Sequence, residues 1–189
     1  MPQDKTITER DRLIGLAMPQ IQLPATDGRV FDLGKARPDW LIVYCYPRTS
    51  SPNTPTPKDW DVIPGARGCT PQSCAFRDHY RDLQQKRADV VGLSTQSTDY
   101  QTEMVNRLHL PFPVLSDEKL ELATALGLPV FQVDGMTLLC RLTLAIKDGI
   151  IRQVFVRLNS PKTTPMKFWH GWIIHESRLL CLRHVLNAT

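Results

Sequence analysis

The chain lacks a long apolar run at its start. Residues 1–18, MPQDKTITERDRLIGLAM, are instead rich in charged side chains. A secretory signal and a membrane-spanning helix both need an uninterrupted apolar stretch, so we expect neither, and we predict a cytoplasmic protein with no membrane partner. The sequence also lacks an internal repeat. Its 189 residues, of which 42% are hydrophobic, suffice for one domain with a single core.

An excess of positive charge is lacking over most of the chain. Residues 156–189 hold five basic side chains against the single acid Glu176, which accounts for the whole net charge of +4. The other residues carry 18 basic and 18 acidic side chains and therefore sum to zero. Because no basic stripe interleaved with aromatic residues is present, we expect no nucleic-acid partner.

The chain also lacks a Cys-x-x-Cys motif, which disfavours a disulfide reductase of the thioredoxin type. Five cysteines are present, and an odd number in a protein expected inside the cell disfavours a framework of structural disulfides. Cys45, Cys140 and Cys181 lie in apolar runs and are predicted to be small buried hydrophobic residues. The remaining pair, Cys69 and Cys74, has no Cys or His pair at zinc-like spacing nearby, so we expect no metal site.

Hydrophobic patterns predict an α/β domain. In chain order they indicate a hairpin within residues 18–33, a doubly buried strand at 40–46, a loop at 47–68, a helix at 69–88, a strand at 89–95, a helix at 97–108 with Ser97 as its cap, a short strand within 111–117, a helix at 117–127, and two strands at 136–146 and 150–156 joined by a turn. Five prolines exclude helix and central strand from residues 47–68, the proline-rich loop. Parallel pairing early and antiparallel pairing late predict a thioredoxin-like fold, with a mixed central sheet and helices on both faces.

The end of the chain differs in composition from the rest. We predict a thioredoxin-like domain at residues 1–160 and an atypical tail at residues 161–189, read as one amphipathic helix that covers the sheet. A basic helix on a membrane surface and a shifted reading frame are alternatives that the sequence leaves open. The three histidines of the tail, His170, His175 and His184, match no zinc pattern.

The segment PGARGCTPQSCAFRD, residues 64–78, is the one that predicts reactive chemistry. Cys69 falls where the loop becomes a helix, and a helix start favours the thiolate, which is the nucleophilic form of a thiol. Gly65 and Gly68 precede it, and their lack of a Cβ lets the backbone approach a small substrate. Cys74 lies five residues further on. From these residues alone, a structural role with both thiols facing the core stays open.

The same segment resembles the active site of the peroxiredoxin Q group, also called the bacterioferritin-comigratory-protein type. The family pattern runs Pro-Gly-Cys-Thr, three residues, Cys, then Phe-Arg-Asp. The resemblance extends through LPATDGRVFDL, LPFPVLSDEKLELATALGL and CRLTLAIKDGII, and so covers about residues 15–155. It implies a thiol-dependent peroxidase for hydrogen peroxide and organic hydroperoxides, with Cys69 as the peroxidatic cysteine and Cys74 as the resolving cysteine.

The resemblance also assigns a role to Arg141, which matches an arginine that the family places before its late hairpin turn. A guanidinium beside the thiolate would stabilise it and the departing oxygen; a surface salt bridge is the alternative. Arg67 could add to the same positive field, although an exposed loop charge is the simpler interpretation. The implied partners are a peroxide and thioredoxin or a similar dithiol reductant, with no cofactor and no metal. We expect a monomer or a weak homodimer.

One departure from the family concerns how the peroxide is held. The family usually has Pro-x-x-x-Thr-x-x-Cys, whereas here Cys69 follows Pro47 by 22 residues and Ala66 stands where the threonine would be. With about 15 residues inserted, the hydroxyl is either supplied by the loop, from Thr49, Thr54 or Thr56, or missing. Thr70, Gly68 and Pro47 are the predicted substrate-positioning residues.

A second class of function uses the same thiol chemistry. A non-catalytic thioredoxin-fold peroxide sensor, or a redox relay module, would also carry a reactive cysteine and a second cysteine that accepts the oxidation. The two classes differ in turnover, because an enzyme is recycled rapidly by a dithiol and a sensor is not. The sequence leaves this alternative open.

Overall fold

The computed structural model describes residues 11–35, 39–52 and 54–156. The strands within them are β1 (Gln22–Pro24), β2 (Val30–Asp32), β3 (Trp40–Cys45), β4 (Ala88–Ser94), β5 (Val114–Ser116), β6 (Val130–Val133), β7 (Met136–Leu139), β8 (Leu142–Lys147) and β9 (Ile150–Val156). The helices that surround the site and the sheet are α1 (Cys69–Asp78), α2 (Tyr80–Gln85), α3 (Thr98–Leu108) and α4 (Glu121–Leu126). The proline-rich loop forms turns and bends, without helix or strand in its described residues.

Five strands form the central sheet in the order β5-β4-β3-β8-β9. β3 pairs parallel with β4, and β4 pairs parallel with β5, whereas β8 is antiparallel to both β3 and β9. This arrangement confirms the predicted mixed sheet. β3 lies in the middle and is covered on both faces, which is why its sequence, WLIVYC, is apolar without alternation.

Alternate residues of β3 point to opposite faces of the sheet. One face packs into a core cluster shared with α4, whose members include Leu41, Val43, Cys45, Leu122, Ala123 and Leu126. On the other face Tyr44 stacks on Phe76 of α1, with ring centroids 4.5 Å apart. Helices therefore lie on both faces, as predicted, and α1, which carries both candidate cysteines, rests on the central strand.

The helix predicted at residues 69–88 is wrong in extent. α1 ends at Asp78 and α2 begins at Tyr80, because His79 has φ −106° and ψ 9° and so leaves the helical conformation. Ala88, predicted to end the helix, is the first residue of β4. Apolar spacing continues across His79, so hydrophobic periodicity alone could not detect the break.

The strand predicted at residues 136–146 is also wrong, because it is two strands. β7 pairs antiparallel with β6, which the sequence analysis missed, and these two form a sheet of their own. β8 belongs to the central sheet, so the chain changes sheets at Cys140 and Arg141. The run MTLLCRLTLAI contains no turn residue, and only the tertiary pairing shows the change.

Two predicted helix ends depend on side-chain caps. Ser97 accepts a hydrogen bond from the Tyr100 amide and caps α3, as predicted. α4 begins later than predicted, at Glu121, because the Asp117 carboxylate accepts the amides of Leu122 and Ala123 and thereby organises its first turn.

The predicted tail, residues 161–189, lies outside the described residues, and so does Cys181. Its assignment as a separate segment with one helix stays a prediction. Within the part of the chain that is described, none of the helices has the length and apolar character needed to cross a membrane.

Candidate active site

Cys69 lies at the start of α1, where the sequence predicts it. The chain reaches it through Gly65 and Gly68, whose φ angles of 81° and 94° lie in the left-handed region that favours glycine. Gly68 is the N-cap residue, and no side chain caps the helix there. The first turn of α1 therefore presents main-chain amides beside the sulfur, and such amides favour negative charge.

The Cys69 sulfur is in contact with the guanidinium of Arg141. Arg141 Nη2 lies 3.0 Å from Cys69 Sγ. Both residues are buried, with exposed fractions of 4% and 6%. The two positions are far apart in sequence, so this contact depends on the fold: α1 rests on β3, and Arg141 lies just before β8, the strand next to β3.

Oxygen atoms of residues on either side of Cys69 accept the remaining hydrogen bonds of the Arg141 guanidinium. Nε donates to the Gly65 carbonyl at 3.1 Å, and Nη2 donates to the carbonyls of Ala66 and Arg67 at 3.4 and 3.1 Å. We call these three main-chain acceptors the carbonyl cage. Nη1 donates to the side-chain oxygen of Gln72 in a very close contact. The guanidinium is thereby fixed in position and orientation.

None of these Arg141 partners is a carboxylate. A buried cation loses its hydration, and carbonyl and amide oxygens return hydrogen bonds but no net negative charge. Of the groups in contact with the guanidinium, only Cys69 can become an anion. As a thiol, Cys69 donates to the Ala66 carbonyl at 3.4 Å; as a thiolate it accepts from Arg141. The guanidinium therefore places a buried positive charge, with no carboxylate among these partners, directly beside the sulfur.

The contribution of Arg67 differs from that of Arg141. Its guanidinium is exposed and pairs with the exposed carboxylate of Asp61. Only its main-chain carbonyl reaches the site, as an acceptor for Arg141. Arg67 is thus an exposed loop charge, in line with the simpler of its two interpretations.

Gln72 and Ser73 are residues of the site that the sequence analysis missed. Gln72 lies three positions after Cys69, one helical turn on, so both side chains lie on the same face of α1 and reach Arg141. Ser73 is buried, and its hydroxyl accepts a hydrogen bond from Tyr44 at 3.2 Å. Burial raises the pKa of Tyr44, so the phenol keeps its proton. The sequence signal that could have identified Gln72 and Ser73 as site residues is two adjacent polar residues inside a buried helical turn.

Cys74 is partly exposed and, like Cys69, is a free thiol in the structure. In a regular helix, residues five apart have Cα atoms about 8.7 Å apart. A disulfide tolerates at most about 6.8 Å between Cα atoms. A bond between the two sulfurs therefore requires the first turn of α1 to unwind, which would separate Gln72 from Arg141 or Ser73 from Tyr44.

The remaining cysteines have different surroundings. Cys45 is fully buried in the core cluster, as predicted, and its burial raises the pKa of its thiol. Cys140 is partly exposed, so its prediction as a buried hydrophobic residue is wrong. The reason is its position in the link between β7 and β8, outside both strands.

Comparison with known proteins identifies the family of the chain. The Redoxin family matches residues 14–167. The chain belongs to the redoxin family. Chloroplastic peroxiredoxin Q of Oryza sativa subsp. japonica is 31% identical over 155 residues, which are 78% of this chain and 64% of the relative. A peroxiredoxin of Mycobacterium tuberculosis (strain CDC 1551 / Oshkosh) is 32% identical over 152 residues, covering 79% of this chain and 82% of that protein.

These relatives place the chain within the redoxin family as a peroxiredoxin of the peroxiredoxin Q type, which confirms the resemblance. Solved structures share the fold. A cysteine-to-serine mutant of Xylella fastidiosa PrxQ has a TM-score of 0.68 at 18% identity, covering 86% of this chain and 96% of that chain. The bacterioferritin comigratory protein of Xanthomonas campestris has a TM-score of 0.59 at 21% identity, covering 76% and 87%. The fold is thus thioredoxin-like. The chain spans 64% of the length of the rice relatives and 47% of a poplar relative.

None of the loop threonines hydrogen-bonds to the Cys69 sulfur in the described residues, and whether one of them holds the peroxide stays open. Thr49 is buried, and its hydroxyl and amide both contact the Gln96 side chain. The Thr54 side chain hydrogen-bonds to the Tyr100 phenol, and Thr56 is exposed. Ala66, at the threonine position, is fully buried in an apolar cluster. Among the hydrogen bonds of the described residues, only Arg141 and the Ala66 carbonyl reach the Cys69 sulfur.

The other predicted positioning residues have different settings. Gly68 shapes the turn into α1, Thr70 is partly exposed in its first turn, and Pro47 is buried directly after the central strand. Their roles toward a substrate stay predictions. In residues 11–35, 39–52 and 54–156, no three His, Cys, Asp or Glu side chains are grouped so that they could hold a metal ion.

Proposed function

We propose that this redoxin is a thiol-dependent peroxidase in which Cys69 reduces hydrogen peroxide and organic hydroperoxides. The observation that carries the proposal is the contact of 3.0 Å between Arg141 Nη2 and Cys69 Sγ, made by a buried guanidinium whose other partners are neutral. Burying a cation beside a thiol is unfavourable for a structural cysteine, but it suits a nucleophile that must be an anion.

The first step is attack of the Cys69 thiolate on one oxygen of the peroxide. A sulfur–oxygen bond forms, the oxygen–oxygen bond breaks, and the thiolate becomes sulfenic acid. The leaving oxygen takes a proton from solvent and departs as water or an alcohol. Arg141 already faces the sulfur, so it can donate to the oxygen on which negative charge develops without first reorganising.

The second step joins Cys69 and Cys74. The Cys74 sulfur attacks the sulfenic acid, a disulfide forms, and the hydroxyl leaves as water. Because α1 holds the two cysteines too far apart, this step follows unwinding of the first turn. An external dithiol, thioredoxin or a similar reductant, then reduces the disulfide by exchange and is itself oxidised. No cofactor takes part in these steps.

Steady-state peroxide consumption with thioredoxin, thioredoxin reductase and NADPH tests the proposal. We expect many turnovers per molecule of wild-type protein and none for Cys69→Ser. Cys74→Ser should consume about one equivalent of peroxide, because its sulfenic acid forms but is not resolved. Cys140→Ser is the matched control, since this cysteine is also partly exposed, and it should retain full turnover.

Two outcomes would contradict the proposal. Equal loss of the first oxidation in Cys69→Ser and Cys74→Ser would show that the roles are misassigned. A single oxidation of the wild-type protein without recycling, by thioredoxin or by small dithiols, would favour the peroxide sensor or relay instead.

A further inference from the structure

The carbonyl cage belongs to the proline-rich loop, so the loop decides where Arg141 can lie. Three of the five contacts that Arg141 makes are to Gly65, Ala66 and Arg67, the last residues of the loop before its final glycine. A shift of these carbonyls would move the guanidinium away from Cys69. Whatever fixes residues 65–67 therefore also fixes the charge at the sulfur.

Ala66, the middle residue of 65–67, belongs to a small hydrophobic cluster separate from the main core. The cluster contains Trp60, Ala66, Val133 and Leu138, and we call it the Trp60 cluster. Trp60 is its largest member and is buried although it lies in a loop. Ala66 belongs to the cluster through its side chain and to the carbonyl cage through its main chain, so packing on Trp60 sets the position of the cage.

The opposite side of the Trp60 cluster is the β6–β7 hairpin, which leads directly to Arg141. Val133 and Leu138 lie on its two strands, and the ring of Phe131 packs on Trp60 with centroids 6.3 Å apart. The Lys58 amide also donates to the Asp134 side chain at 3.0 Å, which ties the loop to the turn of the hairpin. β7 ends at Leu139, two residues before Arg141.

We propose that the Trp60 cluster is a clamp that holds Arg141 on Cys69, with Trp60 as a positioning residue for the peroxide reaction. The cluster packs against both segments that determine the contact between Arg141 and Cys69. One is the loop that provides the acceptors at residues 65–67, and the other is the hairpin that leads to the guanidinium. Trp60 is not among the groups that hydrogen-bond to the Cys69 sulfur in the described residues, so its effect on the reaction passes through Arg141. The inference rests on Cys69 being the peroxide-reactive thiol.

The experiment measures the oxidation rate and the alkylation rate of Cys69 alone, in the full-length chain. Protein is treated with hydrogen peroxide and dimedone, and the adduct on the Cys69 peptide is followed by mass spectrometry; iodoacetamide alkylation of the same peptide between pH 5 and 9 is measured in parallel. Because displacement by about 1 Å can cost up to about 10²-fold in rate, we expect Trp60→Ala to slow oxidation about tenfold or more in the folded fraction. Trp60→Phe, which refills most of the space, should recover to within about threefold of wild type.

Two controls separate positioning from stability. Val62→Ala changes a residue of the same loop whose exposed fraction is 76%, and it should leave the rate unchanged. Leu126→Ala opens a cavity in α4, which packs on the face of the sheet opposite α1, so it should lower the unfolding temperature without slowing Cys69 in the folded fraction. If Trp60→Ala does not fold, Phe131→Ala opens the same cluster from the hairpin side and replaces it.

The double variant Trp60→Ala/Arg141→Met tests the route of the effect. Since Trp60 acts through Arg141, Cys69 in the double variant should be oxidised no more slowly than in Arg141→Met alone. The pH profile of alkylation in Trp60→Ala should shift toward higher pH, in the same direction as that of Arg141→Met. A wild-type rate in Trp60→Ala, additive losses, or equal slowing by Leu126→Ala would overturn the proposal. Absence of peroxide oxidation at wild-type Cys69 would instead overturn the proposed function, while alkylation would still report on the clamp.

Discussion

Two buried cysteines lie in regions on opposite faces of the central sheet. Cys45, on β3, has an exposed fraction of 0% and lies in the core cluster, where burial and the nearby Asp117 raise the pKa of its thiol. Cys69, at the start of α1, is almost equally buried but touches the guanidinium of Arg141. Under the proposed function, the difference teaches that the charge buried beside a thiol, and not the depth of its burial, decides whether it reacts.

The largest expected effect comes from removing one thiol or the other. Cys69→Ser should abolish reaction with hydrogen peroxide, because it removes the sulfur that the buried Arg141 guanidinium contacts. Cys45→Ala removes the other cysteine of the comparison, which is about equally buried, and this variant should react with hydrogen peroxide at the wild-type rate. Peroxide loss and dimedone labelling check both. Reaction that survives in the first variant and disappears in the second would reverse the comparison.

The next effect concerns the cation. Arg141→Met should slow Cys69 oxidation by about 10²-fold, the loss typical of one preorganised donor at a developing anion. Arg141→Lys should recover only part of the rate, because an ammonium keeps the charge but cannot satisfy the carbonyl cage and Gln72 together. Arg152→Met, on the exposed side of β9, is the control. A rate for Arg141→Met within twofold of this control would return Arg141 to a structural role.

A smaller effect is expected in backbone motion. Oxidation to the disulfide should expose the amides of residues 72–74 to hydrogen exchange, since Gln72 is the first residue of α1 whose amide donates to a main-chain carbonyl, that of Gly68; β3, which carries Cys45, should keep its protection. Tyr44→Phe removes the hydrogen bond to Ser73 and should speed disulfide formation a few-fold by easing the unwinding of α1. Hydrogen exchange by mass spectrometry on reduced and oxidised protein gives the answer. Unchanged protection after verified disulfide formation would contradict this prediction.

The last effect concerns stability, at alkaline pH, where the reaction itself is not measured. Burial raises the pKa values of Tyr44, Cys45 and Tyr46, so the folded state keeps protons that the unfolded chain releases. Their contribution to the free energy of unfolding is present below about pH 9 and is lost as the pH rises. Once a group ionises in the unfolded chain, the loss is about 1.4 kcal/mol per group and pH unit. Urea unfolding from pH 8 to pH 11 should show this decline. Cys45→Ala should make it shallower; an identical slope would mean that Cys45 ionises as easily folded as unfolded.

The sequence predicts the parts of the site that side chains and local pattern determine. The loop-to-helix transition predicts that Cys69 lies at a helix start, and an apolar run without alternation predicts β3. Family resemblance picked out Arg141, and the structure shows its contact with the sulfur. These features depend on residues close in sequence or on a motif, so one sequence suffices for them.

The missed parts depend on pairing between distant segments. The switch between β7 and β8 lies in a continuous apolar run, and its position follows from which sheet each half joins. The carbonyl cage consists of main-chain atoms, which have no identity in a sequence. Gln72 was visible only as a polar residue in a helix, and its partner lies 69 positions away.

A cage of main-chain oxygens has a consequence for mutational drift. Because every residue carries a carbonyl, a substitution at position 67 leaves the acceptor for Arg141 in place, and so random change at this surface residue is nearly silent. The constraint falls instead on the neighbouring Gly65 and Gly68, whose left-handed conformations aim the carbonyls. A changed glycine here should act like a changed guanidinium, although it bears no charge and makes no contact through a side chain.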